Sequence, residues 1–247
     1  MLEEGAIRSW DTRRDLIIAG DTQQAIDFAA QHWIHSAKRA IQQQGRFAVA
    51  LSGGSTPKAI YRALSANHKT SIDWSQVHLF WSDERAVPPD HADSNYRMAM
   101  ENGFKDLPIP PAQIHRMKGE DQNSTADYEE LIRRELSPRL FDLVMLGVGE
   151  DGHTASLFPH TAALNEIDKL VVANFVPDKQ DWRFTLTTPC INQSARTAFY
   201  AWGESKQAIV LLVLNAAVKS SFPASAIGTA ERKALWILDA AAAHLLK

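Results

Sequence analysis

The segment FDLVMLGVGEDGHTASLFP, Phe141 to Pro159, constrains the fold more than any other part of the chain. Phe141 to Leu146 is a short hydrophobic run of the kind that forms a strand buried on both faces. Gly147, Gly149 and Gly152 follow at once, so the chain leaves that strand through a tight turn with backbone amides exposed. Such a strand belongs to an α/β sheet, and open α/β sheets bind ligands beyond the carboxyl ends of their strands. His153 stands at the foot of the turn. Local sequence alone reads it equally well as a histidine that caps the turn and as one that does chemistry.

A second strand and turn of the same kind occurs about a hundred residues earlier. Phe47 to Leu51 (FAVAL) reads as a strand, Ser52, Gly53, Gly54 and Ser55 as a turn, and Thr56 and Pro57 as the N-cap and first residue of a helix. Free amides, the hydroxyls of Ser55 and Thr56 and the positive end of the helix suit this loop to an anion, above all a phosphate. Between the two loops, Val77 to Trp81 reads as a strand that runs into Asp83, Glu84 and Arg85 and then a Pro-rich loop, where the charged side chains are expected to be presented, not packed.

The rest of the chain alternates strand and helix patterns without repeats or low-complexity linkers. Asp21 to Gln44 places Ile26, Ala29, Trp33, Ala37 and Ile41 at helical spacing and stops at Gly45; Ser124 to Leu136 opens on a candidate capping box, Ser124 with Asp127. Further strands are expected at 170–176, 184–187, 197–202 and 234–238, and helices at 205–217 and 240–246. This alternation implies a mainly parallel sheet. At 247 residues the chain is expected to form a single domain, 1–247.

Composition removes several function classes. A formal charge of −3 without a basic run argues against nucleic acid and anionic membranes as partners. No apolar run reaches membrane-spanning length and the N-terminal residues are too charged for a secretory signal, so a cytoplasmic protein is expected. The lone cysteine, Cys190, excludes an intrachain disulfide and reads as buried filler. His32 and His35 fall within the first helix, on its partly wet side; no carboxylate or cysteine completes a zinc-like spacing with them, and no metal is expected.

Six stretches together resemble the 6-phosphogluconolactonases, a family related to the glucosamine-6-phosphate deaminases. They are LSGGSTPKAIYRAL from Leu51, WSDERAVPPDHADSNYRM from Trp81, GVGEDGHTASLFP from Gly147, RFTLTTPCIN from Arg183, GESKQA from Gly203 and FPASAI from Phe222. Their order and spacing are also similar. DER and HTASLFP resemble the lactonases, whereas the deaminases carry sequences like DEY and HIAFNEP. One position departs from the family pattern: His160 stands where a glycine normally follows the FP, so either His160 takes an uncommon backbone state or the turn is shifted.

The resemblance implies an α/β fold, a mainly parallel sheet with helices on both faces and a smaller mixed element beside it. It implies hydrolysis of 6-phosphoglucono-1,5-lactone, the second step of the oxidative pentose phosphate pathway, with neither metal nor organic cofactor. His153 becomes the general base that activates water, and Asp151 a group able to orient it. Gly53, Gly54, Ser55 and Thr56 form the expected phosphate loop. Lys206 opens an otherwise apolar helix, where a cation opposes the helix dipole unless an anion lies close, and Arg85 follows two acids at a strand end; both are expected to contact ligand together with Asp83. Arg183 is expected either to touch ligand or to organise the loops through Asp83 or Glu84, and Asn95 either to hold the Asp83 loop or to touch substrate.

Three other readings compete. Gly147, Gly149 and Gly152 spell GxGxxG after a strand, with Glu166 or Asp168 near the place of a ribose-binding acid, but a dinucleotide loop leads straight into a helix and Pro159 comes too soon. A sugar-phosphate deaminase or isomerase would share the phosphate loop and use a carboxylate base at Asp83. A non-catalytic sugar-phosphate sensor would keep the fold without the base.

Overall fold

The structure, a computed structural model, describes residues 7–121, 123–218 and 220–246. Its first helix shows how closely local sequence sets an element. Asp21 accepts from the Gln24 amide at 2.8 Å while the Gln24 side chain accepts from the Asp21 amide at 2.9 Å, a reciprocal capping box that starts α1 (Thr22–Gln44). Gly45, in the left-handed conformation at φ 75°, ends it. The apolar stripe of α1 faces inward, with Trp33 fully buried against Phe47 and Trp74. A ring buried to that extent contributes roughly 2–3 kcal/mol from area alone.

Among the described residues the main sheet has seven strands: β1 (Arg8–Ser9), β2 (Arg14–Ile18), β3 (Phe47–Leu51), β4 (Val77–Trp81), β6 (Leu143–Leu146), β9 (Thr197–Ala201) and β10 (Ala234–Leu238). Their order is β1-β2-β10-β9-β6-β3-β4, and every pairing except β1 with β2 is parallel. All residues of β3, β6, β9 and β10 are buried, as expected for strands covered on both faces. From β3 the chain moves outward through α2 (Ser55–Asn67) to β4, whereas from β6 it moves the other way through α5 (Thr188–Gln193) to β9 and through α6 (Gln207–Asn215) to β10. Right-handed crossovers therefore set α1 and α2 on one face and α5 and α6 on the other. The strand order reverses between β3 and β6, which lie side by side, and the two Gly-rich turns of the sequence leave these two strands at the reversal point.

The smaller element is a three-stranded antiparallel sheet, β5 (Asp83–Arg85), β8 (Asp181–Leu186) and β7 (Val171–Val176), paired in that order. DER is therefore a strand and not part of a loop. Asp83 and Glu84 are buried, contrary to the expectation that they are presented. Glu84 accepts from the backbone amides of Arg85, Asn95 and Tyr96 at 2.7–2.9 Å and from the Ser94 hydroxyl, so it caps the start of α3 (Asn95–Glu101). Burial raises its carboxyl above the ordinary range, against the pull of those amides.

Other expectations shift at element ends. Helix α2 starts at Ser55 with Gly54 as its N-cap, two residues before the expected Thr56 cap. In α4 (Ser124–Leu136) the N-cap is Asn123 and no side-chain cap bond forms, so the Ser124–Asp127 box is absent. Residues 240–245 form turns, not an α-helix. His32 is buried among α1's core residues, not on a wet face, and burial presses its imidazole down to about 4, while His35 is exposed. His160 does take the uncommon state, at φ 62°. Cys190 is buried, and burial pushes its thiol up.

Candidate active site

A cavity of about 270 Å³ opens beyond the carboxyl ends of β3, β6 and β9, lined by the turn after each of these strands and by β5 of the small sheet. On the β3 side, Gly54 takes φ 104°, which a side chain rarely adopts, and the turn delivers Ser55 and Thr56 as the first residues of α2. Their amides have no helical acceptor, and Pro57 has no amide to offer. Tyr61, nearly two turns into α2, fixes the turn from beneath: its hydroxyl donates to the Ser52 carbonyl at 2.8 Å and accepts from the Ser52 amide at 3.0 Å. Gly53, Gly54, Ser55 and Thr56 all line the cavity.

On the β6 side the turn folds back on itself. Thr154 donates its hydroxyl to the Gly147 carbonyl at 2.8 Å, and the Gly149 amide donates to the His153 carbonyl at 2.9 Å. Asp151 Oδ1 accepts from the His153 amide at 3.0 Å and lies 2.5 Å from His153 Nδ1. With a carboxylate there, the neutral imidazole carries its proton on Nδ1 and keeps Nε2 as the acceptor for chemistry. Burial acts to raise the Asp151 carboxyl, but the His153 amide bond and the imidazole outweigh it and hold the carboxyl below its ordinary range. Phe158 stacks on the imidazole, with ring centres 4.1 Å apart. Gly149 lies so close that a methyl group there would sit 2.1 Å from the ring.

Two cations face this space. Lys206 stands at the start of α6 and donates to the Val148 carbonyl at 2.8 Å, tying the β9 turn to the β6 turn. Arg85 donates to the Asp93 carbonyl at 2.7 Å. Asp83 lines the cavity floor, but its carboxylate is engaged by Ser156 Oγ at 2.7 Å and by Asn95 Nδ2 at 3.2 Å. Asn95 is buried and also donates to the Asp83 carbonyl, so it does hold the Asp83 loop.

Arg183 is not among the cavity-lining residues. It pairs across the β5–β8 ladder with Arg85, bonds to Asp181 and to the Trp182 carbonyl, and has no bond to Asp83 or Glu84. The dinucleotide reading also fails on geometry. No α-helix follows Gly152; instead Thr154 and Leu157 form a bridge, and Glu166 spends its carboxylate on the amides of Ile167, Asp168 and Lys169. Among the described residues no group of three or more His, Cys, Asp or Glu side chains could hold a metal ion.

Sequence reasoning missed several supporting residues. Asp239, just past β10, is buried and accepts from the Gly203 amide and from Thr22 Oγ1 at 2.6 Å, which anchors the turn that carries Lys206. Tyr200 lines the cavity from within β9, where it reads only as another apolar strand residue. Ser156 and Phe158 lie inside the HTASLFP stretch, yet nothing in their residue types discloses that one holds Asp83 and the other stacks on the imidazole.

Fold and site define an α/β protein with a glycine-rich helix start and a histidine–aspartate pair facing one cavity at a topological switch point. The model of the glucosamine-6-phosphate isomerases/6-phosphogluconolactonase family matches residues 20–236, and the chain belongs to that family. It is 41% identical over 231 residues to a 6-phosphogluconolactonase of Chlamydia pneumoniae, covering 93% of this chain and 89% of that protein. Among solved structures it is similar to the 6-phosphogluconolactonase of Thermotoga maritima (28% identity, TM-score 0.79, 91% of this chain and 98% of the other). It is similar also to that of Trypanosoma brucei (26% identity, TM-score 0.84, 94% and 98%).

Proposed function

We propose that this protein is a 6-phosphogluconolactonase, hydrolysing 6-phosphoglucono-1,5-lactone to 6-phosphogluconate in the second step of the oxidative pentose phosphate pathway. The observation that carries the proposal is that His153, oriented by Asp151, shares one small cavity with the anion loop at Ser55 and Thr56. Relatives of that name cover nearly the whole chain and support the choice within the family. The deaminase alternative needs a free carboxylate base at Asp83, and that carboxylate is already bonded to Ser156 and Asn95. A cytoplasmic place of action belongs to the same proposal; no helix among the described residues is long and apolar enough to cross a membrane. So does action as one domain, since the cavity draws residues from both sheets.

In the proposed mechanism the phosphate binds to the amides and hydroxyls of Ser55 and Thr56 and to Lys206, far enough from the lactone carbonyl to orient it without reacting. His153 Nε2 removes a proton from water as the oxygen attacks the carbonyl carbon, a contribution of about 10²- to 10⁴-fold. The resulting oxyanion falls to the free amides of the Gly-rich turn and to Arg85, because the Gly149 amide is already spent on His153. The imidazolium, held by Asp151, then gives its proton to the departing ring oxygen and the open acid is released. The test is direct: purified protein mixed with freshly generated 6-phosphogluconolactone accelerates acid release over the spontaneous rate. Acid release at the spontaneous rate would overturn the assignment.

A further inference from the structure

Asp151 holds the imidazole of His153 at a single atom. A ring tethered at Cβ and at Nδ1 can still roll about the line joining those points, and rolling swings Nε2 out of line with the cavity. Asp151 itself is nearly half exposed, so it is a compliant anchor. What opposes the roll is a flat surface. Phe158 presents one, its ring centre 4.1 Å from that of the imidazole and the two planes within 23° of each other.

Phe158 is itself held. Its side chain is buried, and its carbonyl accepts from the Thr161 hydroxyl at 2.8 Å. That hydroxyl in turn accepts from the buried Asn174 side chain at 2.9 Å, which also donates to the Ser156 carbonyl. The Lys179 ammonium lies over the Phe158 ring, 5.8 Å from its centre. The small sheet thus braces the stacking surface through Asn174 of β7, while the large sheet supplies the turn that carries the histidine.

We infer that Phe158 is a positioning residue for His153, fixing the imidazole plane so that Nδ1 stays on Asp151 and Nε2 stays on the cavity. The kinetic part of this inference rests on the proposed lactonase reading. Phe158→Leu keeps apolar bulk and removes the flat face. It lowers kcat for the lactone by about 10-fold or more, since small misplacements of a reacting group are costly, while KM and the Kd of 6-phosphogluconate stay within about twofold.

Imidazole ¹⁵N shifts, assigned by the signals lost in His153→Asn, give a readout that needs no substrate. The neutral His153 of the unsubstituted protein shows the Nδ1–H tautomer, and Phe158→Leu shows a mixture of both tautomers. If the unsubstituted protein hydrolyses no lactone, the functional reading fails and the tautomer comparison still decides the role of Phe158. Unchanged tautomer populations, unchanged kcat, or a matched loss of kcat and product affinity would overturn the inference. Should Phe158→Leu fail to fold, Phe158→Met is read in the same way, and loss of folding in both would make Phe158 a core residue only.

Discussion

Adding one methyl group at Gly149 tests whether the position of the imidazole matters. A Cβ at this residue would lie 2.1 Å from both Cε1 and Nδ1 of His153 and 2.9 Å from Asp151 Oδ1, whereas ordinary contact begins at 3.4 Å. Gly149 is not among the glycines with positive φ, so its backbone accepts alanine without strain and the adjustment falls on the ring. The imidazole must move by about 1.3 Å, which breaks its bond to Asp151 and redirects Nε2. A misplacement of about 1 Å can cost roughly 10²-fold in rate, and losing one half-exposed hydrogen bond costs only about 1 kcal/mol of stability. Gly149→Ala is therefore expected to fold, to melt within a few degrees of the unsubstituted protein and to bind 6-phosphogluconate normally, with kcat down about 10²-fold. Calorimetric titration with product and a lactone assay corrected for spontaneous hydrolysis supply the two numbers. A folded Gly149→Ala protein with undiminished kcat would refute the reasoning, because the base could not then act from the position occupied by His153.

Lys206→Ala is expected to raise KM for the phosphorylated lactone by about 10- to 100-fold, the worth of a charge-assisted bond to a dianion, and to affect unphosphorylated gluconolactone much less; equal losses on both would assign Lys206 to its bond with Val148 alone. Dialysis against a strong chelator should leave turnover unchanged, and activity restored only by a divalent ion would contradict the metal-free route. Stability should fall as pH drops from about 6.5 towards 4. The folded state holds His32 neutral down to about 4 while the unfolded chain takes up its proton near 6.5, a gap worth about 3 kcal/mol, and melting curves of His32→Leu should show a shallower pH dependence.

The parts of the site that depend on local backbone chemistry were legible in the sequence. A buried strand followed by glycines must turn sharply, and both such turns, at Ser52 and at Gly147, lie where the sequence places them. What stayed hidden depends on distant partners. Whether Asp83 and Glu84 face solvent is decided by Ser156, Asn95 and Tyr96, which no spacing within DER discloses. The position of Arg183 follows from its register against Arg85 in a sheet that pairs residues about a hundred positions apart. Asp239 and Tyr200 serve the site from the ends of strands that read as plain core, and His32 took a buried position because neighbouring apolar residues outweighed its polarity.

Replacement of His153 by Asn tests the central claim most directly. The amide keeps a hydrogen-bonding group of similar reach and cannot accept a proton from water, so the folded variant should bind 6-phosphogluconate with near-normal affinity. Its turnover of 6-phosphogluconolactone should fall about 10²-fold or more. A folded His153→Asn protein that retains near-normal turnover would contradict the account, and water activation would have to be sought at Asp83 or Asp151.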